Sequence, residues 1–284
     1  METLRIGYAD FWPEWSQENF IEPILKKHYK VVIDQNNPDV LIHSIFNARR
    51  DTPKYKCKKI LVLAENWRPA RLGSDYSISF DPHSETNYRL PLWQIYLLLW
   101  PGLKARLFNR VHHDDFVRFC SFTVSNPGNF LRNAAFEQLS KYKKVHSYGK
   151  HMNNDPLLVN YTHGKYWRDA KDAFFTTNPH KFMLAYENNA YPGYCTEKLM
   201  DSFLAGSIPI YWGDPGVKKE FNPKAFINVM DYPNSWWSVI KGLDNNQEAF
   251  EAMYNEPVFT DEQKKGLLEN LGNFENWMID KVKE

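Results

Sequence analysis

The sequence has few cysteines, no excess of either charge and no long apolar run. Its three cysteines are far apart in 284 residues, and so sparse and odd a number predicts free thiols in a reducing cytoplasm. With 35 basic and 34 acidic residues the net charge is +1, which argues against a nucleic-acid partner. The longest apolar run, residues 95–100, is far below the roughly 20 residues of a spanning helix, and residues 1–5 show no secretory pattern. We therefore expect a cytoplasmic protein with no integral membrane segment; a location peripheral to the inner face of the membrane stays open.

Several sequence motifs that are typical of common enzyme and cofactor-binding classes are also missing. The chain contains no G-x-G-x-x-G, no G-x-x-x-x-G-K-[ST], no G-x-S-x-G, no C-x-x-C and no H-E-x-x-H. It also lacks any Asp-x-Asp pair that could hold a divalent cation on a diphosphate. The run His112-His113-Asp114-Asp115 has metal-binding residue types, but adjacent histidines do not easily face one ion, so we predict a solvated linker there. We expect no metal site, and arginine, lysine and helix N-termini would have to neutralise any bound diphosphate.

What the chain does have is a regular alternation of short apolar runs with helical patterns. Buried strands are predicted at residues 4–9, 31–33, 40–45, 60–64, 119–124, 182–186 and 208–212, and helices at 20–29, 130–142, 196–205 and 261–284. Such βαβ alternation predicts parallel sheets in an α/β fold. The pattern pauses over the polar residues 103–118. We therefore predict two Rossmann-like domains, residues 1–115 and 116–284, that face each other across a central cleft.

The most informative segment is residues 181–215, where a buried strand ends in Glu187-Asn188 and a helix begins near Thr196. Thr196 is a plausible N-cap, and Lys198 in the first turn would oppose the helix dipole unless an anion were bound there. Glu197 could accept hydrogen bonds from sugar hydroxyls. The alternative is an ordinary helix start with two solvated charges. Glu187 and Asn188 could contact a sugar or fix the backbone of the loop.

Candidate residues also stand at two other strand ends. Glu65 follows the strand at 60–64, where ligands of α/β sheets gather; an ionised carboxylate there could serve as a general base or merely cap the strand. Arg132 begins a helix after the Ser125-Asn126 loop, and its guanidinium could grip two phosphate oxygens or be a solvated helix charge.

Aromatic residues make up 16% of the chain, a high share that would suit a sugar-binding cleft although most rings should be core. Tyr194 could hydrogen-bond a phosphate, stack on a ring or pack within its loop. The pair Trp236-Trp237 could form a sugar platform, but we favour a helix start that packs on the domain.

Three blocks of the sequence resemble the α-1,3/4-fucosyltransferases of glycosyltransferase family 10, and most closely the bacterial enzymes that build Lewis-type antigens. The family pattern runs from an F-E-N-like triplet through Y-x-T-E-K to A-G-x-x-P-[IV]. It stands here at residues 186–188, 194–198 and 205–210, with Tyr186 in place of the usual phenylalanine. Residues 119–126 with Leu131-Arg132 resemble the family's phosphate-binding block, and residues 63–66 resemble the segment that carries its proposed base.

The resemblance implies a GT-B fold whose second domain holds GDP-fucose and whose first domain holds an N-acetyllactosamine-type glycan. It implies an inverting transfer of L-fucose with an α-1,3 or α-1,4 linkage, no obligatory metal, and Glu65 as the catalytic base. The donor-binding residues would be the following: Ser125, Asn126, Arg132, Glu187, Asn188, Tyr194, Glu197 and Lys198. Two alternatives stay open: a related nucleotide-sugar transferase with another acceptor, and a non-catalytic nucleotide- or glycan-binding module.

Overall fold

The computed structural model describes residues 1–16, 18–163 and 166–284 and divides into two compact units. The first unit comprises residues 1–101, 192–194 and 265–284, and the second comprises residues 102–191 and 195–264. Each unit contains one sheet in which all the described strand pairings are parallel. The predicted α/β class with two Rossmann-like units is therefore confirmed.

In the first unit, six described strands are ordered β2-β1-β3-β4-β5-β6. Its elements are β1 (Thr3–Ala9), α1 (Glu22–Leu25), β2 (Lys30–Ile33), β3 (Val40–His43), β4 (Lys58–Val62), β5 (Tyr76–Ser79), β6 (Asn87–Arg89) and α2 (Leu92–Leu99). Short 3₁₀ turns lie at Pro13–Ser16, Asn47–Arg49, Thr52–Lys54 and Pro69–Arg71. The central strand β4 is apolar and buried at Ile60, Leu61 and Val62, as expected for a strand covered on both faces.

In the second unit, five described strands are ordered β11-β10-β9-β7-β8. Its elements are α3 (Gly102–Phe108), β7 (Arg118–Phe122), α4 (Phe130–Ser140), β8 (Val145–Ser147), α5 (Leu157–Thr162), α6 (Trp167–Thr177), β9 (His180–Tyr186), α7 (Glu197–Leu204), β10 (Ile208–Trp212), β11 (Ile227–Asn228), α8 (Trp236–Asn245) and α9 (Gln247–Tyr254). Further 3₁₀ turns lie at Val217–Lys219 and Val229–Asp231. The chain leaves β7 towards β8 but leaves β9 towards β10, so the strand order reverses between β7 and β9. Such a switch point forms a crevice at the carboxyl ends of the strands.

The last helix, α10 (Asp261–Lys283), differs from the prediction in where it packs. It was expected in the second domain, but residues 265–284 belong to the first unit. The physical reason is its apolar face, because Phe274, Met278 and Val282 are buried in the core formed by β1, β3 and β4. The Asn270 carbonyl also accepts a hydrogen bond from the Tyr88 hydroxyl at 2.5 Å.

The predicted boundary at residue 115 also differs from the division in the structure, which falls after Pro101. The stretch predicted as a polar linker begins with helix α3, whose Leu103 and Leu107 are buried. Arg110 is buried as well and donates to the carbonyls of Met253 and Glu256 at 3.2 and 2.9 Å. Although this stretch is polar in composition, several of its side chains therefore pack within the second unit.

Candidate active site

The carboxyl ends of β7 and β9 bring several of the predicted donor-binding residues together in the second unit. Asn129 is the N-cap of α4, and its side-chain oxygen accepts the backbone N–H of Arg132 at 3.1 Å. Its side-chain amide donates to the Glu187 carbonyl at 2.9 Å. One asparagine thus joins the start of α4 to the end of β9 across the switch point. Sequence analysis missed Asn129, although an asparagine directly before a helical pattern is a known N-cap signal.

The Arg132 side chain is buried at this junction rather than solvated, so the alternative of a solvated helix charge is wrong. Only 1% of Arg132 is exposed. Its Nη1 donates to Asn188 Oδ1 at 2.7 Å, and its Nη2 donates to the Asn126 carbonyl. A guanidinium held in a buried, fixed orientation loses little side-chain entropy when it binds an anion.

Glu187 contacts the loop that leads into α7, as in the interpretation in which it fixes the backbone of the loop. It is fully buried, and its two oxygens accept the Thr196 N–H at 2.7 Å and the Thr196 hydroxyl at 2.6 Å. Burial raises the pKa of Glu187. Lys198 and the hydrogen bonds from Thr196 lower it, but the net pKa is raised. Both oxygens of Glu187 therefore have partners at the start of α7.

The start of α7 differs in detail from the predicted N-cap. Thr196 occupies the N-cap position, but its side chain accepts no capping hydrogen bond because its hydroxyl donates to Glu187. Lys198 donates to the Thr196 hydroxyl oxygen at 2.9 Å and lies 3.3 Å from Glu187 and 3.4 Å from Glu197. The predicted conflict between Lys198 and the helix dipole is thus offset by two carboxylates of the chain.

Glu197 belongs to a larger ionic cluster that sequence analysis missed. One turn further along α7, the nearly buried Asp201 accepts Arg168 Nη1 at 2.5 Å and Lys171 Nζ at 2.7 Å. Burial alone would raise the pKa of Glu197, but the attraction of Lys198, with a further contribution from Lys171, outweighs it and the net pKa is lowered. The i, i+4 spacing of Glu197 and Asp201 was visible in the sequence, but their cationic partners come from the separate helix α6.

Tyr194 belongs to the short stretch 192–194, which is part of the first unit. The Tyr194 ring is fully buried and packs edge-to-face on Phe80, with ring centroids 4.8 Å apart. Gly193 has a φ of +92°, and a Cβ there would lie 2.2 Å from the Phe80 carbonyl oxygen. The contact of Tyr194 with Phe80 is a packing contact, which is one of the three interpretations that the sequence left open.

The remaining predicted residues lie on exposed loops. Ser125 and Asn126 are both exposed, and the Asn126 side chain accepts the Gly128 N–H at 2.8 Å. Glu65 follows β4 in the first unit and is exposed, and its carbonyl accepts the Trp67 N–H at 2.7 Å. Glu65 thus stands at the carboxyl end of a central strand, as predicted.

The His112–Asp115 run makes contacts within the second unit. The His112 ring packs edge-on against Tyr254 with centroids 4.8 Å apart, and His113 Nε2 lies 3.0 Å from the Ala205 carbonyl. Across residues 1–16, 18–163 and 166–284, no three His, Cys, Asp or Glu side chains form a group that could hold a metal ion. In the same residues, no helix is both long and apolar enough to cross a membrane.

A solved structure is similar in fold to this chain. The crystal structure of an α1,3-fucosyltransferase with GDP-fucose aligns with a TM-score of 0.71 and 25% sequence identity, over 98% of this chain and 91% of that chain. The topology and this likeness define a glycosyltransferase fold of the GT-B type.

Family models then identify the particular group. The model for the C-terminal part of glycosyltransferase family 10 (fucosyltransferase) matches residues 117–256, and that for the alpha-(1,3)-fucosyltransferase FucT N-terminal domain matches residues 6–96. The chain belongs to glycosyltransferase family 10.

Two curated relatives agree with this assignment. The alpha-(1,3)-fucosyltransferase FucT of Helicobacter pylori is 28% identical over 94% of this chain, which spans 63% of that enzyme. The human 4-galactosyl-N-acetylglucosaminide 3-alpha-L-fucosyltransferase 9 is 32% identical over 42% of this chain and 31% of that enzyme. This chain therefore spans less than two thirds of the length of either relative.

Proposed function

We propose that this protein transfers L-fucose from GDP-fucose to a hydroxyl of an N-acetyllactosamine-type glycan, with inversion at the anomeric carbon and an α-1,3 linkage. The observation that carries the proposal is the buried Arg132 guanidinium at the switch point of the second sheet, joined to the motif residue Asn188 at 2.7 Å. A diphosphate needs cationic donors of fixed direction, and arginine provides two parallel N–H groups for it. The names of the H. pylori and human relatives support the donor sugar, the linkage and the acceptor class.

In the proposed reaction the acceptor hydroxyl oxygen attacks C1 of fucose while the bond from C1 to the β-phosphate oxygen breaks. GDP leaves with the electron pair of that bond, and Arg132 and Lys198 stabilise the charge that develops on the diphosphate. Glu65 takes the proton of the acceptor hydroxyl. No step requires a metal ion, and α-1,4 transfer is a further candidate linkage.

The proposed location is the cytoplasm, either free or peripheral to the inner face of the membrane. Cys57, Cys120 and Cys195 are all free thiols, and Cys120 and Cys195 are buried. Free thiols are the usual state in a reducing compartment. A fractionation of cells that express the tagged protein would test the proposal, and recovery in a secreted fraction would contradict it.

The decisive experiment measures GDP release from GDP-fucose with and without N-acetyllactosamine. We expect acceptor-dependent release, and Glu65→Gln should lower kcat by about 10²–10⁴-fold because an amide cannot accept the proton. GDP affinity, measured by calorimetry, should stay at the parental value. Glu269→Gln makes the same change at an exposed carboxylate of α10 and is the matched control.

Three results would contradict parts of the proposal. GDP binding without any turnover would indicate a non-catalytic binding module. Turnover with acceptors other than lactosamine glycans would indicate a related transferase. A Glu65→Gln variant that keeps more than about a tenth of parental kcat would remove this residue from the role of base.

A further inference from the structure

Asn129 has a side chain that contacts two separate segments of the second unit. It is buried, with 8% of its surface exposed, between the start of α4 and the end of β9. Its Oδ1 accepts the backbone N–H of Arg132 at 3.1 Å, and its amide donates to the Glu187 carbonyl at 2.9 Å. The same amide nitrogen lies 3.4 Å from the Asn188 carbonyl. Both polar atoms of this side chain are therefore bonded to the backbone of segments that carry candidate donor-binding residues.

These contacts close a ring of hydrogen bonds beside the Arg132 guanidinium. Arg132 Nη1 donates to Asn188 Oδ1 at 2.7 Å. Asn129 fixes the backbone at both ends of that bond, because it caps the helix that carries Arg132 and holds the carbonyls of residues 187 and 188. A bond between two side chains keeps its direction only if the backbones that carry them are held in place. The direction of the guanidinium at the switch point therefore depends on Asn129.

Helix capping alone does not require an amide at this position. An N-cap needs an acceptor for a free N–H of the first turn, and serine or aspartate provides one about as well as asparagine. The simpler case occurs at α9, where the exposed Asn246 accepts the Ala249 N–H at 3.0 Å. At Asn129 the NH₂ group is buried as well and donates to the strand end. Serine has one polar side-chain atom where asparagine has two, and an ionised aspartate has no donor, so this double contact needs an asparagine.

The bond from Asn129 to the strand end also has a purely structural explanation. A buried carbonyl at the end of a strand needs a donor, and Asn129 provides one for Glu187. If that were its whole role, losing the bond would lower stability and leave ligand affinity in the folded protein unchanged. The position between Arg132 and Asn188 argues for more, because a shift of α4 against the end of β9 would redirect the guanidinium. Charge-assisted bonds to a diphosphate are directional, so a redirected guanidinium binds it less well.

We propose that Asn129 is a positioning residue for the fucosyl transfer, which holds the Arg132 guanidinium and the Asn188 side chain in the geometry that binds the diphosphate of GDP. Asn129 acts through these two residues and not by contact with the donor. The inference rests on the proposed function, in which Arg132 binds the diphosphate. The start of α4 and the end of β9 thus have one side chain in common that sets their relative position.

The experiment measures GDP affinity by calorimetry in the full chain, in a double-mutant cycle of Asn129→Ser and Arg132→Ala. Asn129→Ser keeps a cap acceptor and removes the amide, so we expect a folded protein whose GDP affinity falls by about three- to tenfold. In the Arg132→Ala background the same change should alter the affinity by less than about twofold, because Asn129 acts through Arg132. The matched control is Asn246→Ser, the same change at the cap of α9, which should leave the affinity at the parental value.

Two results would overturn the inference alone. The first is GDP binding by the parent chain with Asn129→Ser within about twofold of the parental affinity, and the second is an equal loss in both backgrounds, which a merely structural role predicts. A parent chain that does not bind GDP would overturn the proposed function together with this inference.

A second variant covers the case in which Asn129→Ser is unfolded by circular dichroism. Asn129→Asp then replaces it in both backgrounds, because the carboxylate keeps the size of the side chain and the cap but cannot donate to the Glu187 carbonyl. The repulsion between the new charge and GDP is present in both backgrounds and cancels when the two are compared. A loss of affinity that is equal with and without Arg132 would again overturn the inference.

Discussion

Replacing Glu187 with glutamine tests whether this buried carboxylate holds the start of α7. In the parent chain its two oxygens accept the N–H and the hydroxyl of Thr196 at 2.7 and 2.6 Å, and Lys198 lies 3.3 Å away. The amide of Glu187→Gln has one acceptor oxygen where the carboxylate has two. If that oxygen keeps the Thr196 N–H, the NH₂ group faces the Thr196 hydroxyl, whose proton then loses its acceptor.

The magnitude follows from the bonds that are lost. A hydrogen bond to a charged group contributes about 1.5–3 kcal/mol to stability, and Glu187→Gln loses one such bond together with the ion pair to Lys198. The desolvation that raises the Glu187 pKa is removed by the same change and offsets part of this loss, so the range is an upper one. At about 1.36 kcal/mol per decade, local opening at residue 196 should become roughly tenfold to hundredfold more frequent. The unfolding temperature of the second unit should fall by several degrees, since about 1 kcal/mol corresponds to about 2–4 °C at this size.

Hydrogen exchange of the peptide that covers residues 187–198, followed by mass spectrometry, measures the local opening directly. The matched control is Glu137→Gln, an identical change at an exposed carboxylate of α4, and it should leave exchange and unfolding temperature unchanged. An exchange rate of the Thr196 amide within about twofold of the parental rate would refute the assignment of Glu187 as the residue that positions this loop.

Three further predictions concern the ionic groups of the site. Arg132→Ala should weaken GDP binding, measured by calorimetry, by roughly tenfold to a hundredfold. Arg132→Lys should restore little of the affinity, because an ammonium group lacks the two parallel N–H donors of the guanidinium. Unchanged affinity would show that the phosphate site lies elsewhere. Asp201→Asn should destabilise the protein near neutral pH, since burial raises the pKa of Asp201 but Arg168 and Lys171 lower it to a net value below normal. That stabilisation is present above the unfolded-state pKa of about 3.9 and is lost as the pH falls through the lower folded-state value, so the parent and variant unfolding curves should converge below about pH 4. Activity should survive excess EDTA, and a complete, reversible loss would show that a metal neutralises the diphosphate.

Strands that are apolar and buried on both faces were predicted well from the sequence. Strand β10 spans Ile208–Trp212, as predicted, and α7, the helix before it, was correctly placed to end before Gly206, whose φ is +67°. The predicted helix at 20–29 was too long, because only Glu22–Leu25 is helical. Strands β5, β6, β8 and β11 were missed, since each has only two to four residues and shows no clear alternation.

The residue types of the candidate site could be predicted, but their pairing could not. Arg132 and Asn188 are 56 residues apart in sequence, and Lys171 and Asp201 are 30 apart. The local sequence pattern indicates which side chains stand at strand ends and helix starts. The topology of the sheet determines which of those ends are neighbours. The burial of Arg132 and the return of α10 to the first unit therefore depend on long-range packing that no local pattern contains.

The ionic cluster around α7 explains how Lys198 is tolerated where the helix dipole opposes it. Glu187, Glu197 and Asp201 provide three negative charges, and Lys198, Lys171 and Arg168 provide three positive charges, so the cluster is balanced without an external anion. A lysine held in place by two carboxylates needs little further ordering when a phosphate arrives. The phosphate must nevertheless displace at least one of these carboxylates from Lys198. The loss of that carboxylate contact offsets part of the attraction between Lys198 and the phosphate. Arg132 donates to the Asn188 amide oxygen and to the Asn126 carbonyl, and exchanging such a neutral acceptor for a phosphate oxygen costs less attraction than displacing a carboxylate. The contribution of Arg132 to diphosphate affinity should therefore exceed that of Lys198, although both carry one positive charge.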